Sequence, residues 1–194
     1  MRSFLLASVV LAACSSNGKP AEIDAAVISD GPIGVDVPVD ALGLTLSSPV
    51  LTEGGVIDPQ YSCAGANTSP QLSWSGSAAG TLSYAVVLTD KSNNLVHAAI
   101  YDIAASATGL PANVEKAYAP TNVAGAHQPL AYDNATRGYL GPCPGTQHTY
   151  EFALYALDVA TLPGASTTTT RAQAVALIQM HDLASSTLTG TYTP

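Results

Sequence analysis

From Leu44 onward the chain is cut into short apolar runs, β-branched or alternating, with Gly and Pro between them. LTLSSPVL, PQLSW, SYAVVLTD, HAAIYDI, TYEFALYALD and TLTGTY each have the length of a strand rather than a helix. Strands this short must pair side by side and bury one face against another layer. The pattern therefore predicts a mainly β domain, a sandwich or barrel-like arrangement of antiparallel strands. In SYAVVLTD the two-residue period puts Tyr84, Val86, Leu88 and Asp90 on one face. One helix interrupts the pattern near the end. Thr170 and Gln173 make a capping box, and Ala172, Val175, Ala176, Met180 and Leu183 follow at helical spacing. That stripe is expected to pack on the sheet ahead of the last strand, TLTGTY.

The first residues read differently. Arg2 precedes an apolar run from Phe4 to Ala13, and LAAC (Leu11 to Cys14) has the form of a lipobox. Small residues suit a signal peptidase, and the Cys14 thiol would take the diacylglycerol. Residues 1–13 are thus expected to be a lipoprotein signal peptide, against the plainer reading of an ordinary secretory signal with a chance cysteine. Acyl chains on Cys14 would anchor the mature protein to a membrane without a spanning helix. Ser15 fits an outer-membrane address if the cell is Gram-negative. Residues 14–42 lack a hydrophobic period, and Asp24, Asp30, Asp36 and Asp40 punctuate Pro, Gly and Ala. They read as a flexible acidic tether. VDVPVD could instead form an edge strand, though Pro38 limits it to that. Residues 43–194 make the domain, expected in the cell envelope and facing the periplasm or the exterior. With Cys14 lipidated, Cys63 and Cys143 are left, and an oxidising compartment allows them to pair; two buried free thiols are the alternative.

Six Lys+Arg against fourteen Asp+Glu give a net charge of −8, which removes the basic footprint that nucleic-acid binding needs. GxSxG, HExxH, GxxxxGK[ST] and GxGxxG do not occur, and neither does CxxC. His97, His127, His148 and His181 are too dispersed for a zinc motif. The chain is expected to be no enzyme and to need no cofactor or metal. His181 reads as a helix-surface residue and His127 as a loop residue.

Two segments stand apart. Asp90 ends one strand and His97 opens the next. In GYLGPCPGTQHTYEF (Gly138 to Phe152), glycines and prolines surround Cys143, and His148 and Tyr150 point the same way at a strand start. Loop N–H groups with a His and a Tyr would suit a phosphate or carboxylate. A tight structural loop is the other reading.

These segments, in this order, resemble the phosphatidylethanolamine-binding protein family, specifically its bacterial Raf-kinase-inhibitor-like branch. YSCAGANTSPQLSW (Tyr61 to Trp74), SYAVVLTD, HAAIYDI, GPCPGTQHTYEFALYALD and HDLASSTLTGTY carry the resemblance, which spans Leu44 to Tyr192. It implies a large antiparallel sheet packed on a smaller one, with a C-terminal helix. It also implies a small anion pocket near the surface, lined by Asp90, His97, Gly141, Pro142, Pro144, His148 and Tyr150. His97 and His148 would donate to phosphate-type oxygens, and Asp90 would orient a histidine or accept from an amine headgroup. Binding should then strengthen on mild acidification. The resemblance thus implies a non-catalytic binding protein for a small anionic or phospholipid-headgroup ligand. Its rival is a protein-interaction module, such as an inhibitor of a peptidase or kinase; a structural envelope protein is a third reading. This chain departs from the family where Lys91 to Asn94 (KSNN) replace Pro-Asp-Ala-Pro, Ala98 replaces a tryptophan, Gly145 a proline and Ala64 an aspartate.

Overall fold

The computed structural model describes residues 43–194. The signal peptide over 1–13, Cys14 and the tether over 14–42, VDVPVD included, lie outside the described residues. The apolar runs become strands: β1 (Thr45–Ser47), β2 (Gly55–Val56), β3 (Leu72–Ser75), β4 (Ser83–Asp90), β5 (Leu95–Ala104), β6 (Gly109–Leu110), β7 (His148–Leu157) and β8 (Asp182–Tyr192). The helix α1 (Arg171–Met180) sits between β7 and β8. It is too short to cross a membrane, and no other helix among the described residues is long and apolar enough to do so.

The strands form two sheets, one of order β1-β3-β6 and one of order β2-β8-β7-β4-β5. All pairings are antiparallel except one: the two-residue β2 runs parallel to β8. Alternation along the central strand β4 explains the layering. Tyr84, Val86 and Leu88 face the smaller sheet and join Leu46, Leu72, Trp74 and Leu110 in one core, with Phe152, Leu154 and Leu188 of the large sheet. Ala85 and Val87 point the other way and form a second core with Ala99, Tyr101, Leu157, Ala174 and Ile178 beneath α1. A strand buried on both faces needs apolar residues at every position, which is how SYAVVL reads.

The helix begins where its capping box predicts. Thr170 Oγ1 accepts from Gln173 N–H, and the Gln173 side chain accepts from Thr170 N–H at 2.9 Å. Its buried stripe, however, is not the expected one. Ala174 and Ile178 are buried, while Ala172, Ala176 and Met180 are exposed and Leu183 belongs to β8. Apolar residues occur almost all round this helix, so spacing alone did not fix its phase. The narrow surface over Ala85, Val87 and Ala99 accepts one small residue and one larger one.

Two irregularities in β5 matter for the site. Leu88 pairs with Ala98 but Thr89 pairs with Val96, so His97 is the extra residue of a bulge. Tyr84 pairs with Ile103 and Val86 with Ile100, which leaves a second shift around Asp102, whose φ is 59°. The buried Asp102 carboxylate accepts from Leu162 N–H and from His127 Nδ1, both at 2.8 Å.

Candidate functional site

Strand register gathers the titratable groups at one end of the large sheet. Asp90, the last residue of β4, lies directly across from Tyr150 of β7, and His148 stands two residues further on the same face. On the other side of β4 the bulge frees His97 from the ladder, and its carbonyl accepts from Tyr132 N–H at 3.0 Å. The His97 ring lies against Tyr132, with centroids 4.3 Å apart, and edge-on to Tyr150 at 5.3 Å. Together with Asn93, Leu95, Cys143 and Pro144, these groups line a pocket of about 80 Å³.

Asp90 is 1% exposed, so its charge requires partners. His148 Nδ1 lies 2.6 Å from Oδ2, and Ser92 N–H donates to Oδ1 at 2.9 Å. The carboxylate is committed to these groups and fixes the imidazole. A carboxylate only accepts, so His148 Nδ1 carries the proton and Nε2 is left toward the site. His97 is held the same way, with Nδ1 donating to the Leu140 carbonyl at 3.0 Å. In their neutral forms both rings therefore offer an acceptor, not a donor, at Nε2. Burial lowers the His97 pKa below the usual histidine value, and the nearby Arg171 charge adds to this, while the Leu140 carbonyl and Asp90 oppose it. Burial, then the Asp90 charge, holds the Tyr150 hydroxyl well above the usual phenol range, so it stays protonated.

The glycine-proline loop acts as a wall. Gly141 N–H donates to Asn67 Oδ1 at 2.8 Å, Pro142 and Pro144 have no N–H, and Cys143 N–H faces the Tyr150 hydroxyl. The loop thus offers no row of free N–H donors at Gly141 to Pro144, contrary to the sequence expectation. It is fastened to the 61–67 segment instead. Cys63 N–H donates to the Pro142 carbonyl at 2.9 Å, Tyr139 Oη donates to the Tyr61 carbonyl at 2.6 Å, and Cys63 is disulfide-bonded to Cys143. Of the residues singled out from sequence, Asp90, His97, Pro144, His148 and Tyr150 surround the pocket. Gly141 and Pro142 lie behind it, with Pro142 fully buried. A side chain at Gly141 would drive its Cβ into the Tyr61 carbonyl and to 2.8 Å from Tyr139 Oη. Gly141→Ala is therefore expected to destabilise the protein by about 3 kcal/mol, read as a lowered denaturant midpoint at unchanged m-value.

Sequence reasoning missed Tyr132, Asn93 and Leu95. Tyr132 sits in an irregular segment with no motif, and only its contact with His97 reveals it. Two further cavities lack such chemistry. One of about 40 Å³ lies between the sheets, lined by Leu72, Val86, Leu88, Ala98 and Phe152, where Ala98 leaves room. One of about 440 Å³ lies between the 163–169 segment and α1, lined by small and hydroxyl side chains. Among the described residues no three His, Cys, Asp or Glu side chains gather to hold a metal ion.

Comparison with known proteins gives a consistent answer. The model of the family described as phosphatidylethanolamine-binding protein matches residues 47–193. A Mycobacterium tuberculosis protein provisionally named lipoprotein LppC is 38% identical over 141 residues, covering 69% of this chain. The match covers 65% of LppC, so the chain spans just under two thirds of that relative. A UPF0098 protein of Methanothermobacter thermautotrophicus is 34% identical over 157 residues, covering 77% of this chain and 98% of its own length. Among solved structures, Escherichia coli YbcL, described as a member of the mammalian PEBP family, superposes with a TM-score of 0.71 at 26% identity, covering 79% of this chain and 99% of YbcL.

Proposed function

Since this chain belongs to the phosphatidylethanolamine-binding protein family, we propose that it is a non-catalytic binding protein whose pocket takes a small anion of the phosphate type, free or as a phospholipid headgroup. The observation that carries this is the convergence of His97, His148 and Tyr150 on one small pocket with Asp90 buried behind them. Asp90 is engaged by His148 and Ser92, which favours its role as the group that orients a histidine over that of an amine acceptor. Pro144 and the disulfide close one side, and Tyr132 closes another. No side chain lining the pocket is arranged as a nucleophile beside a base: its hydroxyls are the Tyr132 and Tyr150 phenols, both held above the usual phenol range by burial.

We place the working protein in the cell envelope, held by acyl chains on Cys14, with residues 14–42 as spacer. LAAC supports this, as does the lipoprotein name of LppC. The test of binding is calorimetric titration of the protein with inorganic phosphate and phosphoethanolamine near pH 6. Saturable binding is expected, weakened at least about tenfold in His148→Ala through loss of a charge-assisted hydrogen bond. Equal affinity in the variant would sink the assignment. Failure of every anion, with inhibition of a peptidase by the same protein, would establish the interaction module in its place.

A further inference from the structure

The pocket does not end at its lip. Leu95, 37% exposed, lines it and also lines a neighbouring groove of about 290 Å³ bounded by Asn94, Val96, Asn134, Thr170, Arg171 and Ala172. Two short segments run along both spaces. Asn93 faces the pocket and Asn94 the groove; Tyr132 faces the pocket and Asn134 the groove. At about 80 Å³ the pocket alone holds little more than one phosphoryl-sized group, and the groove brings the pair to the few hundred Å³ of ordinary small-molecule sites.

Arg171 gives the groove its chemistry. Its Nη1 donates to the carbonyls of Leu130 and Ala131 and to Asn134 Oδ1, which fixes the guanidinium in place at the first turn of α1. Like Lys116 and Arg137 it makes no ion pair among the described residues, whereas Lys91 is held by Glu151; Asp133 is the carboxylate near enough to act on it. In a chain of net charge −8 this is a cation fixed in place, in no direct ion pair, beside a site for an anion. Its field also reaches His97.

We propose that pocket and groove are one bipartite site for a small molecule with two anionic groups, the first held by the histidines and Tyr150 and the second by Arg171 across Leu95. This rests on the pocket reading above and specifies its ligand. The chemistry is shared by soluble bisphosphates and by phospholipid headgroups bearing a second phosphate.

The full chain would be titrated with inorganic phosphate, with 1,3-propanediol bisphosphate, and with vesicles carrying phosphatidylinositol 4-phosphate. One of the two bifunctional probes is expected to bind at least about tenfold more tightly than inorganic phosphate, as a second charge-assisted contact implies, and which one does so identifies the source. Arg171→Gln should remove that gain. Because Arg171 also secures the segment carrying Tyr132, Ala172→Glu provides an independent check. It adds a carboxylate to the groove at an exposed first-turn position where helices tolerate acidic residues. It should weaken the bifunctional probe and leave inorganic phosphate unchanged. Phosphate binding with no gain from a second group overturns the bipartite site and leaves the pocket standing. Equal loss of phosphate and bisphosphate in Arg171→Gln, with no effect of Ala172→Glu, also overturns it. If no probe binds, the pocket reading falls as well.

Discussion

Replacing Cys63 and Cys143 together by serine is expected to cost about 4 kcal/mol of stability and roughly 10 °C of Tm. The bond joins residues separated by 80 in sequence, so its loss returns a long loop's closure entropy to the unfolded chain. The native side of the balance has few other means of replacing it. The wall from Tyr139 to Pro144 is tied to the 61–67 segment by three hydrogen bonds besides the disulfide: Cys63 N–H to the Pro142 carbonyl, Gly141 N–H to Asn67, and Tyr139 Oη to the Tyr61 carbonyl. Calorimetry of the double variant beside the parent, both without reductant, measures the effect. A change under about 1 kcal/mol would mean that those contacts hold the wall unaided.

The second large effect is a proton linkage. Both imidazoles present Nε2 as an acceptor when neutral, and the Gly141 N–H is taken by Asn67. For an imidazole Nε2 to bond an anion, the anion must therefore bring a proton with it or the ring must gain one. Burial lowers the His97 pKa, so the free protein leaves this ring neutral at pH 7; a bound anion would raise that pKa. Affinity should then rise as pH falls from 7 toward the pKa of the free ring, by about tenfold per pH unit for one proton taken up, and level off below it. The groups facing His97 are Asp90 on β4, His148 and Tyr150 on β7, Tyr132 on the adjoining segment and Arg171 on α1. The same lowered pKa makes a stability statement. Below the unfolded-state value the unfolded chain binds the His97 proton more readily than the native one, so the native state loses stability between that value and the folded pKa. Phosphate should oppose the loss. Titration calorimetry in buffers of different ionisation enthalpy would count the proton directly, and a flat Kd between pH 7 and 5.5 would refute the linkage.

How much of this was readable beforehand depended on whether a feature is local. The strands followed from alternation, and the two-residue period correctly set Tyr84, Val86 and Leu88 on one face and aligned His148 with Tyr150. The capping box located the start of α1 because both of its partners lie within one turn. What failed depended on distant neighbours. The phase of α1 was set by the sheet surface beneath Ala174 and Ile178. The Gly141 N–H was claimed by Asn67, 74 residues away. Tyr132 carries no motif, and its place beside His97 arises from one backbone hydrogen bond to the bulge.

That bulge has a consequence for how the protein can change over time. Leu95, Val96, Ala98 and Ala99 keep β5 in step with β4, and His97 takes no part in that pairing. A residue exempt from the ladder can be exchanged without shifting the strand that carries it. The scaffold and the side chain at this position are thus inherited separately, and drift at one codon would change what lines the pocket while the sheet stays as it is.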